Sequence, residues 1–209
     1  MTASLRHAIQ ALCARKPFAR LLCWHGMRRG NRVALTFDDG PRPDFTPAVL
    51  ELLAHAGADA TFFLEGRRVE KHPDLVRRIV AARHEIGNHG FEHDEEPLGE
   101  QRRRCAEALA VCGIRTRLFR PPLGRLSAGQ FLAAALSGYR TVLWSLDAHD
   151  SMRHEGKWAG PAPDYDAAGA GDIVLLHDDN PVCLRELPAL LRCLKRKGLR
   201  AVSISELFA

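Results

Sequence analysis

The sequence predicts an α/β fold in a single domain, with parallel strands joined by crossover helices. Two observations predict it. Short apolar runs alternate with stretches of helical spacing about six times along the 209 residues, the pattern of repeated strand–helix–strand units. No Ser/Gly linker or Pro-rich stretch divides the chain, and at 46% hydrophobic and 26% charged residues it has the composition of a globular protein. Alternation alone does not separate an open sheet from a closed barrel. Both collect their chemistry on loops at the carboxyl ends of the strands.

The elements follow in order. Arg32 to Phe37 reads as a buried strand ended by Asp-Asp-Gly-Pro. Thr46 to Ala56 has helical spacing through Val49, Leu52 and Leu53, with Thr46 as N-cap, Pro47 at the first helical position and Gly57 as the stop. Ala60 to Leu64 is a strand, Pro73 to Ala82 a helix on Leu75, Val76, Ile79 and Val80, and His84 to Gly87 a brief strand. Leu98 to Ala110 is a helix, Arg117 to Phe119 a strand, Ser127 to Leu136 a helix and Arg140 to Leu146 a strand. Residues 151 to 170 are rich in Gly, Pro and Ala and read as a long surface loop. Ile173 to Leu176 is a strand, Leu184 to Lys195 a helix and Arg200 to Ser203 the last strand.

The formal charge is +5. Arg6, Arg15, Lys16, Arg20, Arg28, Arg29 and Arg32 fall within residues 1–32, which hold no acid, leaving 23 basic against 25 acidic groups beyond. The excess belongs to a basic N-terminal arm, residues 1–31, and not to the domain of residues 32–209. Nucleic-acid binding by the domain is therefore not expected. Leu21 to Trp24 falls short of the ~7–15 apolar residues of a signal-peptide core, so a cytoplasmic protein is expected. Six cysteines form no CxxC pair, which argues against a thiolate zinc site.

Chemistry-bearing residues follow the strands. After the first come Asp38 and Asp39, adjacent carboxylates that repel unless a metal and an arginine hold them. After the third come His89 and His93, a spacing that places two rings on one face of a turn. After the fourth, Arg120-Pro121-Pro122 leaves the N–H groups of Leu123 and Gly124 free to form an oxyanion site. Asp147, His149 and Asp150 follow the fifth strand, and His177 ends the sixth. Each cluster alone reads as ordinary loop chemistry. Their recurrence at successive strand ends does not.

In this order, TFDDG at 36–40, HxxxH at 89–93, RPPxG at 120–124, DxxD at 147–150 and LLH at 175–177, the chain resembles the NodB-type polysaccharide deacetylases, carbohydrate esterase family four. The resemblance runs from about Arg32 to the C-terminus. It implies a distorted (β/α) barrel and a metal-dependent hydrolase that removes N-acetyl groups from amino-sugar carbohydrates. It implies Asp39, His89 and His93 as metal ligands, Asp38 as general base and Arg120 as its ion partner. It implies His177 as general acid, Asp150 as the carboxylate that orients it, and the Leu123 N–H as part of the oxyanion site. Trp144 and Leu175 are expected to line the substrate. Zinc fits the ligand set, and cobalt or another divalent ion would also serve.

Three positions depart from that pattern. Gly90 replaces the usual Ser or Thr, which predicts a looser ligand loop. Leu123 replaces Tyr and Ser151 replaces Trp, which alters the substrate wall; Trp144, His149, His154 and Trp158 are candidates to rebuild it. The competing readings are a catalytically silent carbohydrate- or lipid-binding module and a nucleic-acid-binding protein recruited through the arm. The arm, with Leu5, Ile9, Leu12 and Cys13 at helical spacing, either packs on the barrel or lies on an anionic membrane, where a lipid-linked or exopolysaccharide precursor would be at hand.

Overall fold

The computed structural model describes residues 21–94 and 96–209. Among the described residues nine strands form one sheet: β1 (Leu22–Cys23), β2 (Arg32–Gly40), β3 (Thr61–Leu64), β4 (Glu85–Asn88), β5 (Leu118–Phe119), β6 (Arg140–Val142), β7 (Leu146–Asp147), β8 (Ile173–His177) and β9 (Arg200–Val202). Their order is β1-β6-β5-β4-β3-β2-β8-β7, with β9 also paired to β2. All these pairings are parallel.

This sheet has to curl. β6 and β7 lie near opposite ends of the order, yet only residues 143–145 separate them, and four Cα steps reach at most ~14 Å. Leu143 N donates to Cys23 O at 2.7 Å and Ser145 N to Ile173 O at 3.0 Å. The same short segment thus touches both margins of the sheet, and a distorted barrel results. The strand expected over Arg140 to Leu146 is therefore two strands. The apolar run is continuous, but the chain crosses the barrel seam at Trp144.

The two faces of β2 sort the core. Val33, Leu35 and Phe37 point to the helical layer and pack with Val49, Leu53, Phe62 and Leu187. Ala34 belongs to the interior cluster with Phe63, Val142 and Ile173, and the period of two places Thr36 and Asp38 on that same inner face. Burial on both faces is what a near-continuous apolar strand requires. Each large apolar side chain fully buried in this way contributes ~1.5–3 kcal/mol.

Around the sheet lie α1 (Thr46–Ala56), α2 (Gly66–Lys71), α3 (Pro73–Ala81), α4 (Leu98–Val111), α5 (Ala128–Leu136), α6 (Asp150–His154), α7 (Pro181–Arg196) and α8 (Ile204–Leu207). Gly57 ends α1 in the left-handed conformation, as expected, but Thr46 does not cap it. Phe45 holds the cap position, and the Thr46 hydroxyl instead donates to the buried Asp178 carboxylate. Helix α7 begins three residues earlier than its apolar spacing indicates, because Asn180 caps it by accepting from Cys183 N at 3.0 Å. Helix α2 was not anticipated. The stretch read as a loop over 151 to 170 carries most of α6 and a 3-10 turn at Tyr165–Ala167.

Residues 21–31 of the basic arm are joined to the barrel. Leu22 and Cys23 are buried in β1, and Gly26 N donates to Gly171 O at 2.6 Å. The helical spacing from Leu5 to Cys13 lies outside the described residues.

Candidate active site

The carboxyl ends of the strands bring together the residues singled out in the sequence. Asp38 and Asp39 end β2, His89 follows β4, Arg120 follows β5, Asp150 opens α6 just after β7, and His177 ends β8.

Arg120 is the centre of the inner face. Its side chain is fully buried, and its guanidinium donates to Asp38 Oδ1 at 2.7 Å and to Thr36 Oγ1 at 2.8 Å. Its other nitrogens reach the carbonyls of Val142 and Leu143, both at 3.2 Å. Four acceptors, two on β2 and two at the end of β6, fix the fork, and the Phe63 ring lies under it at 4.2 Å. Trp144 sits 5.6 Å from the same cation.

Asp39 has φ +67, a left-handed conformation that costs a non-glycine residue ~1–2 kcal/mol and is found where function over-determines the backbone. The following Gly40 is required by close approach, since a Cβ there would overlap the Asp178 carboxylate. Asp178 is fully buried, and burial pushes its carboxyl up to about 7.

His89 is buried and its Nδ1 faces Arg120 O at 2.9 Å. A ring nitrogen facing a carbonyl must carry the proton, which leaves Nε2 to face Asp39 Oδ1, 3.2 Å away. His93 Nε2 lies 3.3 Å from the same oxygen. The ligand atoms of Asp39, His89 and His93 all fall within 4.8 Å of one another. Ligands sharing a tetrahedral zinc at about 2.1 Å stand roughly 3.4 Å apart. Asp39 Oδ1 is also buried with no hydrogen-bond partner among the described residues, and a buried carboxylate oxygen left in that state needs a cation. Burial pushes the Asp39 carboxyl up, but His89, His177 and His93 outweigh it and hold it well below the usual range. These three residues fit a divalent metal.

The His89–His93 loop keeps its backbone N–H groups bonded although position 90 carries no hydroxyl. Gly90 has φ +83, and its N–H donates to Asn88 Oδ1 at 2.9 Å. Gln101 Oε1, from α4, accepts from Phe91 N and Glu92 N, both at 2.8 Å. Two side chains, Asn88 and Gln101, thus tie this loop without a hydroxyl at position 90. Gln101 reads as one more polar residue on a helix, so nothing in the local sequence marks it.

On the other side, His177 Nδ1 donates to Asp150 Oδ1 at 2.8 Å. Asp150, with no side-chain exposure, also accepts from His177 N at 2.9 Å and Asn180 Nδ2 at 3.2 Å. Burial opposes a charged ring, yet the Asp150 hydrogen bond and charge, with Asp39 and Asp38 beyond, push His177 up to about 10. Leu175 shares the face of His177 along β8 and is 3% exposed. Leu123 stands at the rim, 68% exposed, in a left-handed conformation of φ 55. Trp144 packs against Gly124 and borders an open groove of about 550 Å³ shared with Asp147, His149 and Trp158. The His149 and Trp158 rings stack 3.7 Å apart; His154 is exposed and outside this groove.

A family model for polysaccharide deacetylases matches residues 25–142. A peptidoglycan-N-acetylglucosamine deacetylase of Bacillus cereus is 38% identical over 199 residues, covering 88% of this chain and 91% of its own. A chitooligosaccharide deacetylase of Sinorhizobium fredii is 38% identical over 163 residues, 71% of this chain and 73% of its own. Among solved structures, a family 4 carbohydrate esterase from Streptomyces lividans in complex with acetate superposes with a TM-score of 0.72 at 30% identity, covering 82% of this chain and 92% of that one. The match over more than half the chain, together with relatives of this identity, establishes that the chain belongs to the polysaccharide deacetylase family, hydrolases of the N-acetyl amide bond on carbohydrates.

Proposed function

We propose that this chain is a divalent-metal-dependent N-deacetylase of glycans built from N-acetylglucosamine. The observation that carries the reading is the orphaned Asp39 oxygen facing two histidine Nε2 atoms, across the site from a histidine held protonated by a buried carboxylate. Asp39, His89 and His93 would hold the ion. Such an ion acidifies water from a pKa of ~15.7 toward ~7 and polarises an acyl carbonyl.

The chain's own groups do the rest. Asp38, aimed by Arg120, takes a proton from the attacking water as its oxygen bonds to the acetyl carbon. The Leu123 N–H receives the charge that builds on the carbonyl oxygen. His177 gives its Nε2 proton to the sugar nitrogen as the C–N bond breaks, so acetate and a free amine leave. Asp150 keeps that proton on the ring until then.

The silent-module alternative has a precedent in the fold, since a family pseudoenzyme from Bacillus anthracis superposes with a TM-score of 0.77 at 25% identity. It is not favoured here because the base, the acid and the complete ligand set are all present. Relatives named as peptidoglycan and chitooligosaccharide deacetylases support an amino-sugar glycan as the substrate. The test is acetate release from peptidoglycan fragments, chitooligosaccharides and lipid-linked amino sugars, with and without a chelator. Asp38→Asn is expected to keep the metal and lose turnover. Turnover by Asp38→Asn, or by fully chelated protein, would refute the assignment.

A further inference from the structure

The two loops that carry the candidate ligands come from different strands, and the connection between them is supplied by a third segment that no motif marks. Glu65 N donates to Gly40 O at 3.0 Å, on the Asp39 side. Gly66 N donates to Gly90 O at 2.9 Å and Arg67 N to Phe91 O at 3.0 Å, on the histidine side. Gly66 is small because a Cβ there would lie 2.7 Å from the Cys105 backbone and 2.6 Å from the Phe91 ring.

The side chains repeat this bridge. Arg68 Nε donates to Glu65 Oε2 at 2.5 Å, and Arg68 Nη1 donates to the carbonyl of Asp39. The arginine thus holds the left-handed residue that presents the ligand carboxylate. The second Glu65 oxygen, Oε1, lies 3.7 Å from His93 Nε2. Glu65 is 6% exposed, so this carboxylate is not a solvent-facing partner of chance. A buried carboxylate beside a cation site raises affinity by charge, and side chains that fix ligand orientation tune affinity from outside the ligand set.

We propose that Glu65 and Arg68 are positioning residues of the metal centre: the pair locks the Asp39 loop against the His89–His93 loop, and Glu65 adds negative charge next to His93. The proposal rests on the metal reading above. It extends the site beyond the recognised motifs, to the end of β3 and the first turn of α2.

The test is Co²⁺ titration of the metal-free chain, following visible absorption, for the wild type, Glu65→Gln, Arg68→Gln and the double variant. Each single variant is expected to lose 10- to 100-fold in affinity, with an altered cobalt spectrum. Because the two act as one unit, the double variant is expected to lose little more than the worse single one. Thermal unfolding of the metal-free proteins reads out a merely structural role. Lower unfolding temperatures with unchanged cobalt affinity and spectrum would overturn the proposal, as would losses that multiply in the double variant. If Asp39→Asn and His93→Ala abolish cobalt binding while Glu65→Gln and Arg68→Gln keep wild-type affinity, the positioning claim alone falls. A wild type that binds no cobalt overturns both readings.

Discussion

Asp150→Asn isolates the proton on His177. The substitution is nearly isosteric in a site with no exposure, and Asp150 makes three hydrogen bonds there. The backbone N–H of His177 and the amide of Asn180 both require an acceptor, so the new amide turns its oxygen toward them. Its NH₂ then faces His177 Nδ1, which must become an acceptor. The proton moves to Nε2 on a neutral ring, and the imidazolium loses its anchor. His177 stands at about 10 against an ordinary 6.5. That difference corresponds to a ceiling of about 5 kcal/mol at 1.36 kcal/mol per unit, and a divalent ion beside Asp39 takes part of it back.

The expected result is a kcat reduced ~10²–10⁴-fold, the usual worth of a general acid, with the alkaline limb of the pH–rate profile moved down from near 10. Stability follows with a definite sign. A raised histidine pKa stabilises the fold fully below 6.5 and loses that contribution as pH rises through about 10. The stability gap between wild type and variant should therefore shrink between those limits, measured by urea unfolding at pH 6, 8 and 10. A variant within threefold of wild-type kcat, with an unmoved alkaline limb, would refute the acid assignment.

Arg120→Met leaves Asp38 buried without its cation, which is expected to cost ~3–5 kcal/mol. In a chain of this size that is roughly a 10 °C fall in Tm by calorimetry, and an unchanged Tm would contradict the buried-pair account. Gly90→Ser, which supplies the residue type usual in the related motif, should lower Tm and not raise it. Position 90 has φ +83 and a Cβ would stand 3.3 Å from Gln101 Oε1, so a loss of ~1–2 kcal/mol is expected. If the arm lies on a membrane, as the second of its two readings has it, deleting residues 1–20, which hold Arg6, Arg15, Lys16 and Arg20, is expected to abolish binding to anionic liposomes in a flotation assay while sparing turnover of a soluble chitooligosaccharide. Unchanged flotation would remove the membrane reading of the arm.

Most of the site could be read from the sequence because its residues sit in short motifs at strand ends, where a parallel barrel places chemistry. The candidate residues Asp38, Asp39, His89, His93, Arg120, Asp150 and His177 all lie in such motifs. What could not be read depends on which strands become neighbours. Arg140 to Leu146 is apolar enough to be one strand, and only the closing of the barrel divides it at Trp144. Thr46 looks like a helix cap, yet its hydroxyl goes to Asp178, a residue 132 positions away. Glu65 and Arg68 look like two charges at the start of a short helix, and their meaning comes from β2 and β4 lying on either side of β3.

Gly90 shows why comparing motif letters misleads. A missing hydroxyl at one position suggests a missing hydrogen bond, and from that a slack ligand loop. The physical requirement is different: each buried backbone N–H needs an acceptor, from whatever residue can reach it. Asn88 meets that requirement for Gly90, and Gln101 meets it for Phe91 and Glu92. The glycine in turn adopts a backbone conformation that a serine would strain. The departure at position 90 therefore leaves the N–H groups of this loop with acceptors. The place to look for a weakened ligand loop in this chain is Gln101, whose loss would leave two N–H groups without partners at once.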